Sequence, residues 1–259
     1  MTPDANPMLR LLIKDHTPEA VARRLRSGPA HRYLRDFIYG AIDGAVTTFA
    51  VVAGVAGAEL SAGIVVILGL ANLLGDGFSM AVGNFLGVRA EEQQRRKARR
   101  EEERHIHTVP EGEREEIRQI FAAKGFTGRQ LDDAVDIITS DRERWIDTMM
   151  TEELGLTLAG VSPWKAAMAT FTAFVVIGFL PLVAFVWNVL AERAGWGAIP
   201  AAFAISAAMT GVAFFLVGTA KSRFVEEKWW AAGLETLGIG GVAAGLAYGV
   251  GVILRGLVG

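Results

Sequence analysis

Residues 61–107 read SAGIVVILGLANLLGDGFSMAVGNFLGVRAEEQQRRKARREEERHIH, with one charge before position 89 and a dense run of both signs after it. That boundary decides the fold. A bilayer core about 30 Å thick needs about 20 apolar residues in a helix, and 61–88 supplies them. Four other stretches do the same: 37–58, 166–190, 198–220 and 232–254. Backbone polar groups in lipid must pair within their own segment, so these stretches are helices. Strand-type alternation is absent, which argues against an outer-membrane barrel. The expectation is an all-α integral membrane protein with five transmembrane helices. It divides into an arm 1–36, spans one and two in 37–88, a cytoplasmic helical insert 89–165, and spans three to five in 166–259.

The rest of the composition agrees. Of 259 residues, 51% are hydrophobic and 21% charged, and mean hydropathy is +0.33. Of 54 charges, 31 fall in 89–165, whereas a soluble globule spreads them along the chain. The absence of cysteine excludes disulfide scaffolds and thiolate metal sites. Lys and Arg number 7 in 1–36, 14 in 89–165 and 3 in 221–230, against 2 elsewhere. The positive-inside rule therefore puts the N-terminus and the insert in the cytoplasm. The first residues lack the apolar core of a cleavable signal. Positions 7–35 read as amphipathic helices on the membrane surface. Short loops and the lack of a targeting extension make a bacterial inner membrane the expectation over a vacuolar one.

Within the insert, the second span is expected to continue as a polar helix through His107, laced with i,i+4 pairs. Pro110 opens a helix that ends at Lys124–Gly125. Thr127-x-x-Gln130 and Ser140-x-x-Glu143 read as capping boxes for helices over about 128–139 and 141–154.

Two sets of residues carry possible chemistry. The insert places Glu102 and His105 on one helix face, Glu113 and Glu116 on the next, and Met149, Met150 and Glu153 on the last. Carboxylate, imidazole and thioether together suit Fe²⁺ and its first-row neighbours better than Mg²⁺ or Ca²⁺. Taken alone, the glutamates also suit a solvated face and the methionines a packed core. In the spans, Asp43 precedes Thr47 and Thr48, while Asn72, Asp76, Met80 and Asn84 recur every four residues. Intramembrane carboxylates are costly and usually mark an ion path or a partner. The same groups can bind protons, which allows metal-for-proton exchange. Glu235, near a span end, reads as a snorkelling side chain. Gly241, Gly245 and Gly249 read as a close-packing stripe, as do Gly54 and Gly57. No phosphate-binding loop supports ATP-driven pumping, and no hydrolase pattern is present.

The strings DGAVTTFAVVAG (43–54), GLANLLGDGFSMAVGNFLG (69–87), PEGEREEIRQIF (110–121) and DTMMTEELGL (147–156) occur in this order. Together they resemble the vacuolar iron transporter (CCC1-like) family, over about 32–257. The resemblance implies a five-span homodimer, with no enzyme activity and no tightly bound cofactor. It implies export of Fe²⁺ from the cytoplasm in exchange for protons, with Mn²⁺, Co²⁺ and Zn²⁺ as further cargo. It implies pathway residues Asp43 and Met80, to which the spacing adds Asp76 and Asn84. It implies metal collection in the insert by Glu102, Glu113, Glu116, Met149, Met150 and Glu153. His105 stands where many relatives carry Glu, and neutral imidazole can still ligate there, less well on acidification. Gly75 and Asn84 also depart from some relatives. The expected partners are divalent metals, protons, lipid and a second copy, without nucleic acid. Two competing readings are a membrane-anchored di-iron oxidase, suggested by Glu102-x-x-His105, and a metal-binding membrane protein without flux.

Overall fold

The structure, a computed structural model, describes residues 7–27, 33–223 and 226–258. Positions 28–32 of the surface-helix reading lie outside the described residues. No strand occurs among those described. Five helical stretches are long and apolar enough to cross a membrane. The chain divides into two units, one of Tyr33–Val88 with the described residues from Ser162 on, the other of the N-terminal helices with 89–161.

In the spanning unit, α3 (Leu34–Gly57) is the central helix. It buries Ala41, Ala45, Phe49, Val52 and Ala53. Its neighbours are α8 (Pro163–Gly178), α10 (Ala202–Lys221) and α11 (Trp229–Val258). Lipid tails are as apolar as leucine, so close packing rather than water exclusion must hold these helices together. Glycine supplies that packing. A Cβ at Gly40 or Gly44 would strike the backbone of Thr170 or Phe174, and one at Gly57 would strike Tyr248. Gly178 sits as tightly against Gly44, where a Cβ would lie 2.7 Å from the Gly44 carbonyl oxygen.

The glycine stripe expected on the last span does not pack this way. A Cβ at Gly241, Gly245 or Gly249 would meet nothing within 4 Å, whereas one at Gly240 or Gly251 would strike Phe214 or Gly54. The four-residue repeat has the right spacing but lies on the wrong face of the helix. Gly44→Ala is therefore expected to cost about 1–3 kcal/mol through overpacking. Its thermal midpoint in detergent should fall, while that of Gly241→Ala should not move.

The third span is broken. Pro181 has no N–H to donate and its ring clashes with the preceding turn. The chain passes from α8 through a 3₁₀ turn, Leu180–Leu182, into α9 (Val183–Ala194). Ser206 of α10 donates to the Pro181 carbonyl at 2.6 Å, so the break leaves that buried oxygen paired.

The second span belongs to α4 (Ala62–Thr108), which continues without interruption past its apolar part, as expected. Its apolar part ends before Arg89. Ile67, Leu74, Phe78 and Leu86 are exposed along it.

In the other unit, α1 (Pro7–Asp15) and α2 (Pro18–Ser27) expose Leu12, Ile13 and Leu25. The end of α4 is followed by α5 (Pro110–Ala123), α6 (Gly128–Thr139) and α7 (Arg142–Thr148). Pro110 opens α5, and Gly125 after it adopts φ 95°. The two expected capping boxes do not form. Thr127 precedes α6 without a side-chain cap bond. Asp141, not Ser140, caps α7 by accepting from the Arg144 N–H at 2.8 Å. Asp is as good a cap as Ser, and Ser140 is engaged in ending α6. Arg118 pairs with Asp132 at 2.7 Å, and Arg114 with Asp136 and Thr139, tying α5 to α6. Ile117, Val135, Ile138, Trp145 and Met149 form the apolar centre beneath them.

Candidate metal centre and intramembrane carboxylates

The polar half of α4 carries i,i+4 helix pairs such as Lys97–Glu101 and Arg99–Glu103. It carries Glu102 and His105 one turn apart. The tight connection at Val109 then folds α5 back, which brings Glu113 in its first turn to the same place. One ligand atom from each of Glu102, His105 and Glu113 lies within 4.8 Å of the others. Metal–ligand bonds to oxygen and nitrogen are about 2.0–2.2 Å, so opposite donors around one ion sit about 4 Å apart, close to this spacing.

Glu102 and Glu113 are each only 4% exposed. Their Oε2 atoms are buried without a hydrogen-bond partner. His105 Nδ1 lies 3.4 Å from the Glu113 carboxylate. Burial pushes the Glu113 carboxyl up to about 7, and the charges of Glu116, Glu102 and Glu153 push the same way. Burial also raises Glu102 and Glu153, with His105 opposing the rise in both. Five groups thus share one electrostatic site. Glu116 and Glu153 are exposed at its edge. Two buried acceptors lacking donors, an imidazole and two further carboxylates fit a divalent cation better than any neutral ligand.

Sequence periodicity does not foresee how the last helix contributes. After α7 the chain widens into a π turn, Met149–Glu153, closed by Leu154 N–H to Met149 O at 3.2 Å. Such insertions rotate the residues beyond them and recur at functional sites. Arg99 pins α7 through Asp147 at 2.8 Å and through Glu143. Both methionines are buried, Met149 against Ile117 and Trp145, Met150 against Ala98 and Ile146. Gly155 (φ 62°) closes the segment.

In the spanning unit, Asp43 is half-buried on α3 and Asp76 exposed on α4. They lie close enough to repel each other. No hydrogen-bond donor reaches either carboxylate among the described residues; Thr47 donates instead to the Asp43 backbone carbonyl at 2.8 Å. Asn72 donates to Thr47 and Thr48 at 3.3 and 3.4 Å, so the polar faces of α3 and α4 meet. Met80 packs on the apolar core of the unit. Asn84 is engaged elsewhere: its amide donates to Asp36 at 3.0 Å and to Thr170 at 2.8 Å. Neither Asp36 nor Thr170 stands out in the sequence reading. A signal for Asp36 exists, since it lies two turns before Asp43 on the same face; its place at the end of the charged arm hides it. Glu235 pairs with Lys221 at 2.8 Å, away from this set.

Comparison with known proteins fits the arrangement. A profile of the VIT family matches residues 34–252. The chain is 35% identical to a vacuolar iron transporter of Toxoplasma gondii over 230 residues, 88% of this chain and 76% of the relative. It is 32% identical to vacuolar iron transporter 1 of Arabidopsis thaliana, over 85% of each chain. It is 30% identical to vacuolar iron transporter 2 of Oryza sativa, over 93% of this chain and 92% of the relative. With five spans, an acidic site in its polar unit and a match along most of its length, the chain belongs to the VIT family, as a multi-pass membrane protein of metal-ion transport.

Proposed function

We propose that this protein is a secondary transporter that exports Fe²⁺ from the cytoplasm in exchange for protons, accepts related divalent metals, and works as a homodimer. The convergence of Glu102, His105 and Glu113, with two buried oxygens lacking donors, is the observation that carries the reading. Glu116, Glu153, Met149 and Met150 complete the collecting site, which faces the cytoplasm with the N-terminus. Asp43, Asp76 and Met80 form the path through the spans, Asn84 borders it while its amide holds Asp36 and Thr170, and a second copy covers the exposed face of α4 that bears Asp76. Carboxylates both ligate the metal and take up protons, so one set of groups serves both ions. The relatives are named as vacuolar transporters; the short loops keep a bacterial inner membrane as the proposed location here. A di-iron oxidase normally uses two Glu-x-x-His pairs, and Glu102–His105 is the single such pair in the sequence.

The test is flux into proteoliposomes with an imposed pH gradient. Fe²⁺ should accumulate when the lumen is acidic, slow on collapse of the gradient, and be competed by Mn²⁺ and Co²⁺ but not Mg²⁺. Stoichiometric O₂ consumption on Fe²⁺ addition, without flux, would instead identify the oxidase.

A further inference from the structure

A cavity of about 430 Å³ opens in the spanning unit, away from Asp43 and Asp76, where the start of α3 meets the end of α10 and the first turns of α11. Ile38 and Ile42 of α3 and Ile239 of α11 give it apolar walls. Arg35 and Lys221 also line it. Tyr39 stands between the two chemistries, with the Arg35 guanidinium 5.7 Å from its ring centroid. Arg35 is exposed and has no ion-pair partner among the described residues. Lys221 is paired with Glu235 at 2.8 Å. The charges that line the cavity are thus two cations, and with the Glu235 partner of Lys221 counted beside them the local balance is +1. The segment after α10 adds Arg223, Glu226, Glu227 and Lys228, which cancel.

These features conflict unless the occupant is amphipathic. A soluble anion gains nothing from isoleucine walls, and an apolar molecule gains nothing from an unpaired guanidinium. Both cations sit at helix ends, where a span meets the headgroup layer. Basic pockets between spans at that depth suit anionic headgroups. We infer that this cavity is a binding site for an anionic phospholipid: Arg35 and Lys221 hold the headgroup phosphate, and an acyl chain lies along Ile38, Ile42 and Ile239. Glu235 then balances one cation so that a phosphodiester of single charge neutralises the site. The cavity's lining lies wholly within the spanning unit.

Native mass spectrometry of the full-length protein in neutral detergent tests it, with phosphatidylglycerol and phosphatidylcholine of identical chains. The first phosphatidylglycerol should bind about fivefold more tightly than phosphatidylcholine, the effect of one uncompensated cation near a membrane surface. Arg35→Gln with Lys221→Gln should erase that preference. Ile42→Trp, which fills the cavity and keeps both cations, should weaken the first phosphatidylglycerol at least as much. Glycerol phosphate, which has the anion without chains, should not displace the lipid. Equal binding of both lipids to the unaltered protein would overturn the inference, as would a preference that survives the double substitution. Full displacement by glycerol phosphate would assign the cavity to a soluble phosphate instead. Should the double variant fail to fold, Arg35→Gln alone and the wild-type lipid comparison decide the matter.

Discussion

Replacing Asp43 by alanine is expected to reduce Fe²⁺ flux in proteoliposomes by about 100-fold or more, while metal binding by residues 89–161 stays unchanged. Asp43 is half-buried, no donor reaches its carboxylate, and Asp76 lies within repulsive range. An anion kept in such a place is not there for stability, because a carboxylate in a span costs several kcal/mol. On the proposed path a cation between α3 and α4 would lose water and need the compensating charge. Removing one partner of a buried charge pair costs about 3–5 kcal/mol, and each 1.4 kcal/mol is a factor of ten. Asp43→Asn should fail almost as badly, since the amide keeps the shape and loses the charge. Both variants should fold at least as well as the wild type. Flux within about threefold of wild type in Asp43→Ala would remove this residue from the path; the threshold is set at less than 1 kcal/mol.

Glu113→Gln is expected to weaken Mn²⁺ or Fe²⁺ binding at least about tenfold and at the same time to stabilise the metal-free helices around it. Glu113 is almost wholly buried, and its Oε2 has no donor. A glutamine amide can donate to Glu102 where two carboxylates now repel. Relief of a buried unsatisfied acceptor is worth about 1–3 kcal/mol. The sign with pH follows from the carboxyl's position at about 7, raised from an ordinary 4.5. A group raised on folding holds its proton more tightly in the folded chain, so ionising it above pH 7 destabilises the fold. The gain from Glu113→Gln is therefore fully present above pH 7. It fades as pH falls toward 4.5 and is absent below, where the wild-type carboxyl is protonated in folded and unfolded chains alike. Amide exchange of α5 in chelator at several pH values reads this directly. Metal binding has the opposite dependence. Below pH 7 the ion must displace a proton from Glu113, so wild-type affinity should fall by about tenfold per pH unit for that one proton. Calorimetric titration at pH 6 and pH 8 measures it. Glu113→Gln should bind weakly with a flatter profile; a steep profile in the variant would place the linked proton on another group.

Each of these expectations begins with residue types visible in the chain, but they are legible there to different degrees. The change of composition at Val88–Arg89 marks where the apolar part of a helix ends, and the helix itself does not break there. Pro110 and Gly125 bound α5 because their backbone preferences are local. Of the capping boxes, that at Ser140 loses to the neighbouring Asp141, a cap of similar strength, and that at Thr127 forms no side-chain cap bond. The π turn at Met149–Glu153 carries no composition of its own; it lies between an α7 pinned by Arg99 and two buried methionines, contacts that exist only in the folded chain.

The number of apolar helices and the identity of the chemically unusual residues came from the one-dimensional pattern, because transfer of apolar and charged side chains between water and lipid is additive along a helix. Which glycines touch, that Asn84 serves Asp36 and Thr170, and that Glu102, His105 and Glu113 meet around one point were decided only in three dimensions. Those outcomes depend on how helices rotate and approach one another. A four-residue repeat says which side chains share a face, and only packing chooses what that face meets.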